Sequence, residues 1–328
     1  MAEKLNATFF AFQKREGGGA LIWTSIAYVV AFIALYAVII GIGWVALDGA
    51  SFMTWYNEVI AAQARGETYS EAPPNGAAFL LIIPLVLVFV ILQFVLLAAY
   101  ESACIRWMLR GERSGALQLH FGHDMWRVYG TYWFWFFYTL ISGVIFFVVV
   151  TAVTMAAASA GEYGGWIAFA AIVLALFAWL YTTVRLSPAS ATSIGIGEFA
   201  PFKAWSVSSG RFWALFGAYF LLFVIYLIVA TIVGAIVLGS YYSQLFGGLD
   251  WTLAQTDPDA FMRAYEQASL EASTAMFASP TSTAIYIGGQ LVSFTVALVF
   301  YVLWYGVETR AVQAALEESK IERAAPQA

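Results

Sequence analysis

Long apolar runs alternate with short polar segments along the whole chain. Six runs reach membrane length, at about 20–46, 78–103, 131–158, 164–184, 212–240 and 282–306. Roughly 20 apolar residues at helical rise cross about 30 Å of hydrocarbon, so each run predicts a transmembrane helix. Polar interruptions are few: Gln93 and Gln290 are the clearest, and Pro84 predicts a bend in the second span. The first run, about 26 residues long, exceeds the roughly 7–15 of a signal-peptide core and predicts an uncleaved first span. The expectation is an all-α, polytopic membrane helical bundle. It has six transmembrane helices in three hairpins, with cytoplasmic interfacial helices, and forms one integral membrane domain over residues 1–328.

Two polar segments between spans carry helical periodicity. Residues 51–65 place Phe52, Tyr56, Val59 and Ile60 on one face; Glu67 and Glu71 follow, then Pro73-Pro74 as a stop. Over 257–278, Asp257 caps, Pro258 suits the first turn, Phe261, Tyr265, Ala268, Ala272 and Met276 share a face, and Pro280 ends the helix. Both read as amphipathic helices over the outer face of the bundle, as a cover, a docking surface or a lid.

Charge sets the orientation. With both termini cytoplasmic, the inner segments hold Lys4, Lys14, Arg15, Arg106, Arg110, Arg113, Arg127, Arg185, Lys203, Arg211, Arg310, Lys320 and Arg323. The outer segments hold Arg65 and Arg263. Thirteen against two follows the positive-inside rule, while the acidic residues divide ten and ten. Tyr and Trp gather at the boundaries, among them Trp23, Trp107, Trp133, Trp166, Trp213 and Tyr305, as an aromatic belt or as packing residues.

The hairpins resemble one another. Aromatic–glycine–aromatic segments precede each odd span ("AFQKREGGGALIW", "HFGHDMWRVYGTYWFW", "PFKAWSVSSGRFW"). Tyr and then Arg close each even one ("YESACIR", "YTTVR", "YGVETR"). A three-fold internal repeat is expected. In the third copy, 198–209 reads as a short interfacial helix. Phe199, Phe202 and Trp205 enter the headgroup boundary there or pack on the bundle, while Lys203 stays in water. Gly210 then turns the chain upright, Arg211 anchors at the surface, and Phe212 and Trp213 open the span.

Composition narrows the chemistry. Of 328 residues, 62% are hydrophobic and 11% charged, against about 25% charged in soluble domains. Cys104 is alone, which excludes an intrachain disulfide and a thiolate cluster. His120 and His123, with Asp124 adjacent, have the spacing to face one metal but lack further ligands. No phosphate loop, nucleophile–base pair or metalloprotease signature is present, and the spans lack the repeated charges of an ion-coupled pump. Neither enzyme activity nor a cofactor is expected. Gly41, Gly43, Gly288 and Gly289 suit close helix packing.

The candidate site residues close the even spans: Arg106, Arg185 and Arg310, with Glu101 near Arg106 and Glu308 near Arg310. They read as topology anchors with local ion pairs, or as a basic ring for an anionic lipid headgroup or another phosphate-bearing ligand.

The segment "RLSPASATSIGIGEFAPFKAWSVSSGRFWALF" resembles the membrane-domain family attached to bacterial glycerophosphoryl diester phosphodiesterases and related stand-alone six-helix inner-membrane proteins. The matching positions are Arg185, Pro188-Ala189, Ala204-Trp205, Ser208, Gly210 and Phe212-Trp213; Ala204 departs from the usual serine. The resemblance implies a bacterial inner membrane and no phosphodiesterase activity, which in the larger proteins belongs to a separate soluble barrel. The expected function is non-enzymatic. It is exercised through membrane lipids, another membrane protein or a second copy, in envelope organisation or as an accessory subunit, with no nucleic-acid partner. The alternative is a transporter or channel for a small solute or lipid.

Overall fold

A computed structural model describes residues 6–13, 19–64, 69–76, 79–112, 119, 121–159 and 161–322. His120, Lys4, Lys14, Arg15, Arg65, Glu67, Arg113 and Arg323 lie outside the described residues. The fold is all-α. The helices are α1 (Gly19–Ala46), α2 (Gly49–Ala64), α3 (Phe79–Arg110), α4 (His123–Ala158), α5 (Gly164–Leu186), α6 (Ala189–Ile196), α7 (Ala204–Val207), α8 (Phe212–Gly247), α9 (Leu253–Thr256), α10 (Pro258–Met276) and α11 (Pro280–Glu317). Six of them, α1, α3, α4, α5, α8 and α11, are long and apolar enough to cross a membrane, which makes this a multi-pass membrane protein.

Several spans run past their expected ends. α3 continues to Arg110, α4 starts at His123, α8 reaches Gly247 and α11 reaches Glu317. The segment before the third span is therefore no separate interfacial helix: residues 123–130 are the first turns of α4. These extensions carry polar residues, so an apolar-run criterion stops short of them, while the backbone continues its hydrogen-bond ladder.

The chain divides into two compact units. Unit 1 comprises residues 1–38, 87–222 and 302–328; unit 2 comprises 39–86 and 223–301. Unit 1 holds the fully buried large side chains, among them Tyr100, Ile105, Met125, Ile194, Leu215 and Val312. At its centre is α6, read from sequence as loop. It is buried from Ala189 to Gly195, so it lacks the one-sided apolar pattern that marks a surface helix. A Cβ at Gly195 would lie 2.8 Å from Val312 of α11, so only glycine lets the two helices approach this closely.

The expected interfacial helix is a 3₁₀ turn, Pro201–Lys203, running into the single turn of α7. Ala204 and Val207 point inward, while Phe199, Phe202 and Trp205 are exposed, as their spacing predicts. Gly210 has φ +74°, and a Cβ there would meet nothing within 4 Å. Its requirement is conformational, not steric. Arg211 departs from expectation. It is buried, donating to the Val207 carbonyl (3.0 Å) and pairing with Glu318, instead of anchoring at the surface. Of the aromatic positions, Trp107 and Tyr305 are buried, which favours packing among the two readings for them.

In unit 2, α2 and α10 occupy the two expected amphipathic segments. The face of α2 is partly as expected: Phe52 and Val59 turn inward with Trp55 and Ala62, Tyr56 is exposed, and the side chain of Ile60 lies outside the described residues. The Trp55 indole donates to the Glu71 carbonyl (3.0 Å), which ties the following segment back to α2. The α10 face is as read, with Asp257 Oδ1 accepting from the Ala260 N–H at 3.0 Å. Pro280 does not end α10, which stops at Met276; it opens α11, where its missing N–H costs nothing. Of the four glycines expected at helix contacts, Gly289 makes the close approach, its missing Cβ leaving room for Val237; nothing lies within 4 Å of a Cβ at Gly41 or Gly288.

Candidate functional site

Unit 1 gathers the candidate residues, and its hydrogen bonds separate them into different roles. Glu101 on α3 and Glu308 on α11 are both buried, and they lie within electrostatic range of each other. The expected ion pairs with Arg106 and Arg310 do not form. Hydroxyl donors replace them at Glu101. Tyr132 of α4 donates to Glu101 Oε2 (2.7 Å), and the Ser190 and Tyr305 hydroxyls, from α6 and α11, lie close to the same carboxylate. On α11 the Trp304 indole donates to Glu308 Oε1 (2.9 Å), one helical turn apart on one face.

The second oxygen of Glu308 is buried without a partner. Tyr219 of α8 packs its ring on Trp304, centroids 4.3 Å apart. Its buried hydroxyl also lacks a hydrogen bond of good geometry, although the Ser187 hydroxyl is close. Buried polar atoms without partners are rare and costly, so an orphan oxygen and an orphan hydroxyl beside two carboxylates mark a polar site inside spanning helices. Around it, Tyr100 bonds Ser25 of α1 (2.9 Å) and packs on Tyr28.

The arginines are held elsewhere, each by its own neighbours. Arg106 bonds Glu112 through Nε (3.0 Å) and Nη2 (2.8 Å), and lies 3.5 Å from Asp124. Arg110 reaches Asp124 at 3.2 Å and the Ile194 carbonyl of α6, and Arg127 closes on Asp124 from its own helix. Asp124, noticed in the sequence only as a neighbour of the histidines, is thus a buried hub for three arginines. In the first turn of α4 it also meets the positive end of the helix. Among the described residues no three His, Cys, Asp or Glu side chains are placed to hold a metal ion, and His123 is exposed.

Arg185 is consumed at the 201–210 turn. Its Nη2 donates to the Trp205 carbonyl (2.7 Å), and its guanidinium lies 4.5 Å over the Trp205 ring. Ser208 returns a bond to the Arg185 carbonyl (2.7 Å). Arg185, Trp205, Ser208 and Gly210 together form a clasp that fastens α7 to the end of α5. Phe202 and Trp213 stand exposed beside it, at 73% and 77%.

Arg310 stands apart. It stacks 5.9 Å over Phe10 and reaches Glu317 at 3.5 Å, and it lines a cavity of about 440 Å³ with Asn6, Gln13, Trp107 and Gln313.

No protein-family model matches this chain, and no curated protein or solved structure matches it either.

Proposed function

We propose that the protein is a non-enzymatic, multi-pass component of a bacterial inner membrane, with both termini cytoplasmic, that acts through the lipids or membrane proteins it contacts. The observation that carries this reading is the exposure of the spans. The most apolar stretch of each spanning helix is between 0% and 17% buried within the chain. Whatever covers these stretches is lipid or another membrane-embedded partner, and the exposed Phe202, Trp205 and Trp213 extend that surface toward the headgroups. The thirteen-to-two division of basic residues supports the orientation. The resemblance over 185–213 supports kinship with the stand-alone inner-membrane relatives of the phosphodiesterase membrane domains. Mass spectrometry of the protein extracted in native lipid discs tests the reading: one lipid class or one stoichiometric protein is expected to be enriched. Bulk lipid alone, together with solute flux by the purified protein in liposomes, would replace it.

That second outcome has one observation in its favour. The Glu101–Glu308 pair, with the orphan Glu308 oxygen and Tyr219 hydroxyl, has the chemistry of a cation or proton path through spanning helices. Cation-dependent flux in liposomes that is lost in the E101Q/E308Q double variant would establish a transporter.

A further inference from the structure

Among the described residues, Arg310 is bonded at longer range than the other arginines of unit 1. Arg106, Arg110 and Arg127 are spent on Asp124 and Glu112, and Arg185 on a backbone carbonyl and a tryptophan ring. Arg211 is spent on a carbonyl and Glu318. Arg310 has five N–H donors by nature and one long contact, 3.5 Å, to the exposed Glu317. Its remaining donors are available to a ligand in a cavity that its side chain lines.

One turn further along α11, Gln313 lines the same cavity, and its buried Oε1 has no hydrogen-bond partner. An orphan acceptor calls for a donor as surely as a guanidinium calls for an anion. Positions 310, 313 and 317 share one helical face, so the cation, the orphan acceptor and the Glu317 carboxylate stand in a row. Asn6, Gln13 and the Trp107 ring complete the walls, and about 440 Å³ is at the small end of ligand cavities.

A ligand that matches this row carries a negative group, followed within a few bonds by a hydrogen-bond donor with positive charge. We propose that the cavity binds the headgroup of an ethanolamine phospholipid. The phosphodiester lies on Arg310, and the ammonium lies on Gln313 Oε1 beside Glu317. This rests on the partner-directed reading above and gives it a specific lipid and a specific place.

The test is native mass spectrometry of the full-length, delipidated protein. It is titrated with phosphatidylethanolamine, phosphatidylglycerol or phosphatidylcholine, and separately with inorganic phosphate and phosphoethanolamine. Phosphatidylethanolamine is expected to be retained preferentially. Arg310→Gln is expected to weaken it by roughly tenfold, as loss of one charge-assisted contact does. Gln313→Leu, which keeps bulk and removes the acceptor, is expected to narrow the preference over phosphatidylcholine, whose methylated ammonium donates no hydrogen bond. Equal retention of the three lipids, or no change in either variant while both keep their helical circular dichroism, overturns the proposal. Tight binding of free phosphate or phosphoethanolamine in place of lipid overturns the lipid as its source. In native discs, a wild-type lipid or partner enrichment that survives both substitutions refutes the cavity and leaves the wider reading standing. No enrichment in the wild type refutes the wider reading itself.

Discussion

Unit 1 and unit 2 are drawn from much the same sequence. Four spanning helices, α1, α3, α8 and α11, contribute residues to both. Yet among the described residues every buried polar or charged side chain belongs to unit 1. Among the described apolar side chains of unit 2, only Ala62, Leu245, Leu249, Ala272 and Leu298 are buried. The difference follows from what each must exclude. An apolar side chain surrounded by lipid gains no hydrophobic free energy by packing on another helix, so residues such as Ile236 stay exposed without penalty. Where arginines, glutamates and helix ends enter the structure, donors and acceptors need partners, and unit 1 is where those partners are found, with the Glu308, Gln313 and Tyr219 oxygens among the exceptions.

Removing the centre of that polar packing would break the comparison most severely. Asp124→Ala would leave Arg106, Arg110 and Arg127 facing one another without their shared carboxylate. A loss of about 3–5 kcal/mol is expected in reversible detergent unfolding, as for other broken buried ion pairs. Apolar packing comes next. Leu215→Ala, at a fully buried position of unit 1, is expected to cost about 2–5 kcal/mol. Ile236→Ala, 77% exposed in unit 2, is expected to stay within about 0.5 kcal/mol in the same assay. Equal costs at the two positions would erase the distinction between the units.

The clasp offers smaller tests. Ser208→Ala removes the bond to the Arg185 carbonyl at a buried site, and a loss of about 1–2 kcal/mol is expected. Gly210→Ala forces a side chain into positive φ with open space around it. The expected cost is therefore conformational alone, about 1 kcal/mol, and a much larger one would show hidden packing there. The smallest effect is electrostatic. The hydrogen bond from Lys320, with help from Arg211, holds the Glu318 carboxyl below its ordinary value near 4.5. Folding therefore releases a proton in that range, and the stabilisation is present above the ordinary value and fades as pH falls through the folded one. The stability difference between wild type and Glu318→Gln, followed from pH 7 downward, is expected to shrink over that window; a constant difference would refute the pairing.

Much of the architecture was legible because membrane-length apolar runs have few alternatives. The α10 cap, the exposed face of Phe199, Phe202 and Trp205, and the turn at Gly210 could be read from local chemistry, since each depends on neighbours in sequence. Helix α6 was not legible, because a helix buried all round carries no one-sided pattern. On the α2 face the structure departs from the pattern at Tyr56, which is exposed, while Trp55 turns inward to bond a carbonyl 16 residues away. Within the candidate site, Glu101 and Glu308 stood out as charges in apolar helices, but nearest neighbours in sequence suggested the wrong partners.

By itself the sequence determined the six spanning helices and where each approximately lies. Those follow from backbone hydrogen bonds that must close within each segment when no water is present. Only the tertiary structure decided which arginines are consumed and which is left facing a cavity. It also decided that Glu101 meets a tyrosine and Glu308 a tryptophan instead of arginines, and that Asp124 gathers three arginines. Those outcomes depend on side chains brought together from α3, α4, α6 and α11, and a hydrogen bond is satisfied by whatever lies within about 3 Å in space, however distant it is along the chain.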